Sequence, residues 1–182
     1  VFSKGGAASV PVVLAARLYR IPVLIHDSDS VAGRANVFLR NFVQKIAIAY
    51  PSAAQFFPAD KTILTGNPVR TEVYSGSVES ARAIFSLAPE KKTILIVGGS
   101  QGARGLNIAV LRILPALLTK GIQVIHQVGN QNIGDVSALA AELGVPLQGG
   151  DYHPVPFLDP QAIGDAYAAA DLVISRAGAG SI

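Results

Sequence analysis

Short runs of Val, Ile and Leu alternate along this chain with longer stretches in which apolar residues recur every three or four positions. The first pattern suits a strand buried on both faces and the second a helix with one apolar stripe; their alternation marks a parallel sheet wound with helices. Strands are predicted at 22–26, 45–49, 61–65, 93–97, 122–127 and 172–175, with Val1-Phe2-Ser3 reading as the end of another. Helices are predicted at 9–20, 32–42, 78–87, 103–119, 131–143 and 161–170. Within 103–119, Leu106, Ile108, Leu111, Ile113, Leu114 and Leu117 are expected to form the buried stripe. The fold class read from this pattern is α/β.

The rhythm breaks between Gly66 and Ser77, where Gly66, Asn67, Pro68 and Gly76 cluster with two serines. A domain boundary is expected there, separating residues 1–70 from 71–182. Pro68 fixes its own φ and keeps Asn67 out of the helical region, so this corner aims Arg70 in a defined direction.

Composition narrows the class. Half of the 182 residues are hydrophobic and 15% are charged, which excludes a disordered chain. There is no cysteine, hence no disulfide scaffold, and cytosol is the default compartment. The apolar runs fall far short of the ~20 residues that a spanning helix needs. A chain without Met that opens in mid-strand and stops just past a glycine turn is expected to be a fragment. The net charge of +3 is uneven: residues 1–70 carry eight Lys/Arg against three Asp, a net of +5, and the remainder is −2. The first part is therefore expected to seek anionic partners, whether phosphates or a lipid surface. No Ser/His/Asp constellation, zinc spacing or aromatic-basic surface for nucleic acid is visible.

The sharpest local feature is Gly98-Gly99-Ser100-Gln101-Gly102-Ala103-Arg104, which follows an apolar strand and opens a helix. Glycines let the backbone approach an anion, the unpaired N–H groups and positive dipole of the helix start face it, and Ser100 adds a hydroxyl donor. A glycine turn required only for strand-to-helix packing has the same form, so the motif alone leaves both readings open. It is not a P-loop, since no Gly-Lys-Ser/Thr ends it. Nor is it the dinucleotide fingerprint, because the next strand ends His126-Gln127-Val128-Gly129-Asn130 without a carboxylate for the ribose. A second turn, Ser175-Arg176-Ala177-Gly178-Ala179-Gly180-Ser181, follows another apolar strand. Two such turns at the carboxyl ends of parallel strands suggest a diphosphate-sized ligand. Arg70 is a natural partner for a nucleotide's phosphate or carbonyl oxygens, or else a surface residue at a hinge. His26-Asp27-Ser28-Asp29 contains the Asp-x-Asp form that chelates a cation in some sugar transferases. We read Asp27 as bonding within its loop and Asp29 as a polar substrate contact, with no metal. His126 and His153 read as core or loop histidines.

These pieces, in this order, resemble the bacterial peptidoglycan glycosyltransferases of glycosyltransferase family 28. The resemblance covers nearly the whole chain and rests on Gly5-Gly6 with Ser9-x-Pro11, Ile21-Pro22-Val23-Leu24-Ile25-His26 followed by an acid, Gly66-Asn67-Pro68-Val69-Arg70, Gly98-Gly99-Ser100-Gln101-Gly102-Ala103 and Ser175-Arg176-Ala177-Gly178-Ala179. It implies the GT-B architecture, two Rossmann-like domains facing each other across a cleft, both incomplete here. Residues 1–70 would be the later part of an N-terminal, membrane-facing acceptor domain and 71–182 the first part of a C-terminal donor domain.

The activity implied is inverting transfer of N-acetylglucosamine from UDP-N-acetylglucosamine to membrane-bound lipid I, forming lipid II. The enzyme would be peripheral, on the cytoplasmic face of the bacterial inner membrane, with no metal or cofactor. By the same resemblance Ser100, Gln101 and the glycines Gly98, Gly99 and Gly102 hold the diphosphate together with the turn Ala179, Gly180 and Ser181. The backbone at Phe157-Leu158 holds the uracil, Arg70 lies near the nucleotide, and Asp29 stands where the family usually has an Asn that touches the sugar. The loop Gly5-Gly6-Ala7-Ala8 lacks the family's usual Tyr. The family's catalytic base, a His in an earlier glycine loop, would precede Val1 and its ribose-binding Glu would follow Ile182. This chain alone is therefore expected not to turn over. Phe38, Leu39 and Phe42 beside Arg34 and Arg40 fit either a membrane patch or a core-facing helix. Other readings are a different lipid or UDP-sugar transferase of the same architecture, a UDP-sugar epimerase, for which no acid/base pair is visible, and a nucleotide-binding module without catalysis.

Overall fold

The computed structural model describes every residue except Ser100, Ala177 and residues 179–182. Two compact units are present, Val1–Pro68 and Val69–Arg176.

The first unit is a four-stranded parallel sheet in simple sequential order, β1 (Phe2–Ser3), β2 (Leu24–Asp27), β3 (Lys45–Ile48) and β4 (Thr62–Leu64). α1 (Ser9–Leu18) and α2 (Arg34–Leu39) make the first two crossovers and a 3₁₀ turn, Pro51–Phe56, lies in the third. Ile25, Ile46 and Ile48 from the sheet close on Val13 of α1, Leu39 of α2 and Ala53. Leu39, counted above in a possible membrane patch, is thus a core residue with no exposed surface, and Phe42 packs against the same core. Only Phe38 of that trio faces solvent, because α2 is short and its single apolar stripe is spent on the sheet.

The second unit begins with a 3₁₀ turn, Thr71–Tyr74, and α3 (Val78–Phe85). Then follow β5 (Thr93–Val97), α4 (Arg104–Thr119), β6 (Gln123–Gln127), α5 (Ile133–Glu142), β7 (Tyr152–Val155), α6 (Pro160–Ala169) and β8 (Leu172–Ser175). All four strands are parallel, in the order β7-β6-β5-β8. Val110, Leu111 and Leu114 of α4 join Val136 and Ala140 of α5 over one face of the sheet. Ala81 and Phe85 of α3 join Ala166 of α6 over the other, against Leu95 and Ile125. Both faces being covered explains why β5 reads as a nearly unbroken apolar run, while in β6 the polar Gln123, His126 and Gln127 are buried with hydrogen-bond partners.

Two differences from the sequence reading have simple causes. β7 is absent from it because Pro154 argues against a strand in a segment of only four residues, and as the edge strand of this sheet it tolerates a proline that donates no ladder bond. On α4 the buried positions are Asn107, Val110, Leu111 and Leu114, a regular three-four stripe, while Ile108 and Ile113 are exposed. Hydropathy alone assigns an Asn to solvent; here hydrogen bonds, described below, satisfy it inside. Among the described residues no helix is long and apolar enough to cross a membrane.

Candidate functional site

Strand order in the second unit reverses at β5, with β6 and β7 on one side and β8 on the other, Val97 lying opposite Ser175. Helices leaving the carboxyl ends of such neighbours go to opposite faces, and the crevice left between them is where open α/β sheets bind ligands. Loop 98–103, which leaves β5, and Arg176, which follows β8, both stand at this switch point. The Arg176 guanidinium lies against the open face of Gly99, its Nη2 2.8 Å from where a β-carbon would stand. No acid pairs with Arg176 among the described residues.

α4 opens without a cap. Ala103 fills the cap position, offers no side-chain acceptor, and is followed by no acid in the first turn. The leading N–H groups and the positive end of the helix are therefore left for an anion from outside. α3 and α6 differ: Ser77 accepts from the Ser80 N–H, and Asp159 accepts from those of Gln161 and Ala162.

The loop's carbonyls turn the other way. Gly102 N–H donates to the Gly99 carbonyl at 2.8 Å, and Gln127 Nε2 donates to the same oxygen at 3.0 Å. The Gln101 carbonyl accepts from Asn132 Nδ2 at 3.2 Å. Gly102, at φ +72°, rests on the Val128 carbonyl so closely that a β-carbon would overlap its oxygen; Gly129, at φ +92°, stands in the same relation to the Gln101 carbonyl. The loop after β5 and the loop after β6 are thus locked face to face, with two of the first loop's oxygens tied inward.

Below them lies a buried chain of side chains. Asn107 donates from Nδ2 to the Val128 carbonyl at 3.0 Å, and a carbonyl can only accept, so the Asn107 Oδ1 faces His126 Nε2 at 3.1 Å. His126 must then carry its proton on Nε2, which leaves Nδ1 to accept from the Tyr152 hydroxyl at 3.0 Å. Burial pushes the His126 pKa down to about 4 and raises that of Tyr152. An unfolded histidine titrates near ~6.5, so between these values the unfolded chain binds the extra proton; stability is fully present above the unfolded value and is lost as pH falls toward the folded one, by roughly 3 kcal/mol in all. The stability advantage of the wild type over His126→Gln is accordingly expected to shrink from pH 7 to pH 4.5 in denaturant titrations. Parallel pH slopes would contradict a neutral buried imidazole.

Of the residues singled out in the sequence, Gly98, Gly99, Gln101 and Gly102 come together in this loop. Ser100, Ala179, Gly180 and Ser181 lie outside the described residues. Leu158 follows β7 with its side chain buried in the α3–α6 core, so only its backbone can meet a ligand. Arg70 caps the Thr71–Tyr74 turn, exposed. Asp29 belongs to the other unit, exposed, its N–H donating to Asp27 Oδ1 at 3.2 Å. His126 is a core histidine, as its sequence context suggests, whereas Gln127, Asn132 and Asn107, which also shape the loop, escaped the sequence reading. Their only signal there is a polar residue at an inward position of a strand or helix.

The first unit holds a recess of about 620 Å³ at the carboxyl ends of β1 and β2, lined among others by Lys4, Gly5, Asp29, Arg34 and Asn36. Buried Asn36 donates to the His26 carbonyl and to Asp27 Oδ2, while its Oδ1 has no partner among the described residues.

Residues 1–48 match the model of the Glycosyltransferase family 28 N-terminal domain and residues 93–182 that of the Glycosyltransferase family 28 C-terminal domain. The chain is 45% identical over 181 residues to the UDP-N-acetylglucosamine--N-acetylmuramyl-(pentapeptide) pyrophosphoryl-undecaprenol N-acetylglucosamine transferase of Phocaeicola vulgatus, covering 98% of this chain and 46% of that protein. It is 40% identical over 184 residues to the transferase of the same name from Thermodesulfovibrio yellowstonii, covering 48% of it. The crystal structure of MurG from Acinetobacter baumannii superposes with a TM-score of 0.68 at 34% identity, over 100% of this chain and 47% of that one. A UDP-GlcNAc 2-epimerase from Neisseria meningitidis, bound to UDP-GlcNAc, superposes with a TM-score of 0.66 at 15% identity, a likeness of fold alone. The chain spans about half the length of the curated relatives it matches.

Proposed function

The chain belongs to glycosyltransferase family 28, and from that premise we propose that the protein it forms transfers N-acetylglucosamine from UDP-N-acetylglucosamine to lipid I with inversion, yielding lipid II. The observation that carries this reading is the order of features along one chain: N-terminal family domain, then C-terminal family domain, the latter with an uncapped helix start and, at its switch point, an Arg176 that pairs with no acid among the described residues. Residues 71–182 are assigned to the donor. There the amides of loop 98–103 and the start of α4 hold the diphosphate, with Ser100, Gln101 and the turn Ala179, Gly180 and Ser181, the Leu158 backbone meets the uracil, and Arg70, just before this segment, lies near the nucleotide. As the bond between the sugar's anomeric carbon and the UDP oxygen breaks, charge grows on the diphosphate, and fixed amides, a helix dipole and guanidinium groups stabilise it without reorganising and without calling for a metal. A general base takes the proton of the attacking acceptor hydroxyl.

Residues 1–70 are assigned to the acceptor, with the recess around Lys4 and Arg34 receiving it and Asp29 reaching the sugar. We place the protein at the cytoplasmic face of the inner membrane, held peripherally through this unit. Val12, Leu18 and Tyr19 on and after α1 are exposed among Arg17 and Arg20, and Phe38 is exposed between Arg34 and Arg40. Basic residues near an anionic surface contribute ~1 kcal/mol each.

The test is calorimetry of UDP on the intact protein. Ser100→Ala and Arg70→Ala are each expected to weaken binding about tenfold, the loss of one hydrogen bond to a charged group. Unchanged affinity in both variants rejects the assignment of this site, and absence of sugar transfer to lipid I by the intact wild type rejects the function.

A further inference from the structure

We propose that His126 is a positioning residue for the diphosphate loop: through Asn107 it holds the Val128 carbonyl in the one orientation that lets Gly102 seat and so sets where the loop's amides point. The inference rests on the reading of loop 98–103 as the diphosphate site.

The route is continuous and each link has a direction. Tyr152, almost wholly buried against Val124, Val128 and Val136, donates to His126. His126 donates to Asn107, and Asn107 donates to the Val128 carbonyl, which also accepts from Asn132 Nδ2 at 2.8 Å. That same Asn132 amide reaches the Gln101 carbonyl of the diphosphate loop. Gly102 rests directly on the Val128 oxygen. The Asn107 amide is held from both ends: the Val128 carbonyl can only accept and so takes the NH₂, and His126 Nε2–H takes the oxygen. A reversed Asn107 would set two donors against each other at His126 and two oxygens against each other at Val128, so the His126 donor adds to the carbonyl's own demand and holds the amide in place. His126 touches no ligand; its influence passes through a carbonyl that two amides share and on which the glycine turn sits.

Two substitutions separate this role from general support of the core. Gln places a terminal N–H where Nε2–H stands and keeps the bond to Asn107. Asn reaches only as far as Nδ1, keeps a partner for Tyr152 and loses Asn107. In the intact protein, His126→Asn is expected to raise the UDP dissociation constant about tenfold, the effect of leaving one buried polar group unpaired. It should also speed hydrogen exchange at the Gly102 amide, whose bond to Gly99 closes the turn. His126→Gln should restore both to within about threefold of wild type on the same principle. Melting temperature is measured on all three. Equal weakening of UDP by the two variants in step with equal loss of thermal stability overturns the proposal in favour of a packing role, and unchanged UDP affinity in His126→Asn overturns it outright. Failure of the wild type to bind UDP sinks the underlying site reading instead, and this inference with it.

Discussion

Gly102→Ala is expected to weaken UDP binding by the intact protein about a hundredfold and to lower its melting temperature by several degrees. Two costs coincide at this position. The backbone holds φ at +72°, a region that costs an L-residue roughly 1 kcal/mol. The added methyl would also overlap the Val128 carbonyl oxygen and crowd Asn132 Nδ2, which would stand 2.8 Å away. Val128 cannot retreat, since its oxygen accepts from both Asn107 and Asn132, so the loop must move instead. A shift of ~1 Å takes the loop's amides out of hydrogen-bond range of the charged diphosphate, at ~1.5–3 kcal/mol for each bond lost, so one or two lost bonds give about a hundredfold. Gly134→Ala is the control: φ is ordinary, no atom lies within 4 Å of the new carbon, and the position is in α5. There alanine's better helix propensity, worth ~1 kcal/mol, should leave the protein as stable or more so, with UDP affinity unchanged. A hundredfold loss in Gly102→Ala without the same loss in Gly134→Ala separates loop placement from a general intolerance of Gly-to-Ala changes; equal UDP affinity in wild type and Gly102→Ala would show that the two locked loops do not set the ligand site.

What hydropathy could read was the layering. Runs such as Thr93-Ile94-Leu95-Ile96-Val97 need cover on both faces, and that requirement alone implies a wound parallel sheet. Glycine turns after strands were legible because their position between an apolar run and a helical period is a local property. What escaped depends on partners distant in sequence. Asn107 is inside because His126 and Val128, nineteen and twenty-one residues on, complete its bonds. Neither the pairing nor the rotation of α4 that it imposes is written in the period of the helix itself. β7 escaped for a related reason: Pro154 argues against a strand locally, and only its place at the sheet edge makes it permissible. The glycine motif reads as two alternatives, packing turn or anion cradle, and the packing demand of the first does not use up Gly99. Gly102 and Gly129 provide the close packing, while Gly99 faces Arg176.

Partners close in sequence, by contrast, make Asp27 the most consequential side chain of the first unit. It ends β2 almost wholly buried and has no cationic partner among the described residues. Its charge is held by three donors: the Asp29 N–H at 3.2 Å on Oδ1, and the Gly33 N–H and Asn36 Nδ2, each at 3.0 Å, on Oδ2. Those donors span the turn that carries Asp29 and the start of α2, so one carboxylate gathers the whole segment 28–36. Removing it in Asp27→Ala strands three donors at a cost of ~1–3 kcal/mol for each that stays buried. Because the adjoining recess lets water reach some of them, the expected loss is about 3 kcal/mol in total. Asp27→Asn keeps an oxygen for the two Oδ2 donors and turns its NH₂ against the Asp29 N–H, losing about 1 kcal/mol. Hydrogen exchange resolves the effect by unit: protection at Ile25 and Ile46 should fall in both variants, most in Asp27→Ala, while Leu95 and Ile125 of the second unit keep theirs. If Asn proved as damaging as Ala, the negative charge itself, rather than the count of hydrogen bonds, would be what this turn requires.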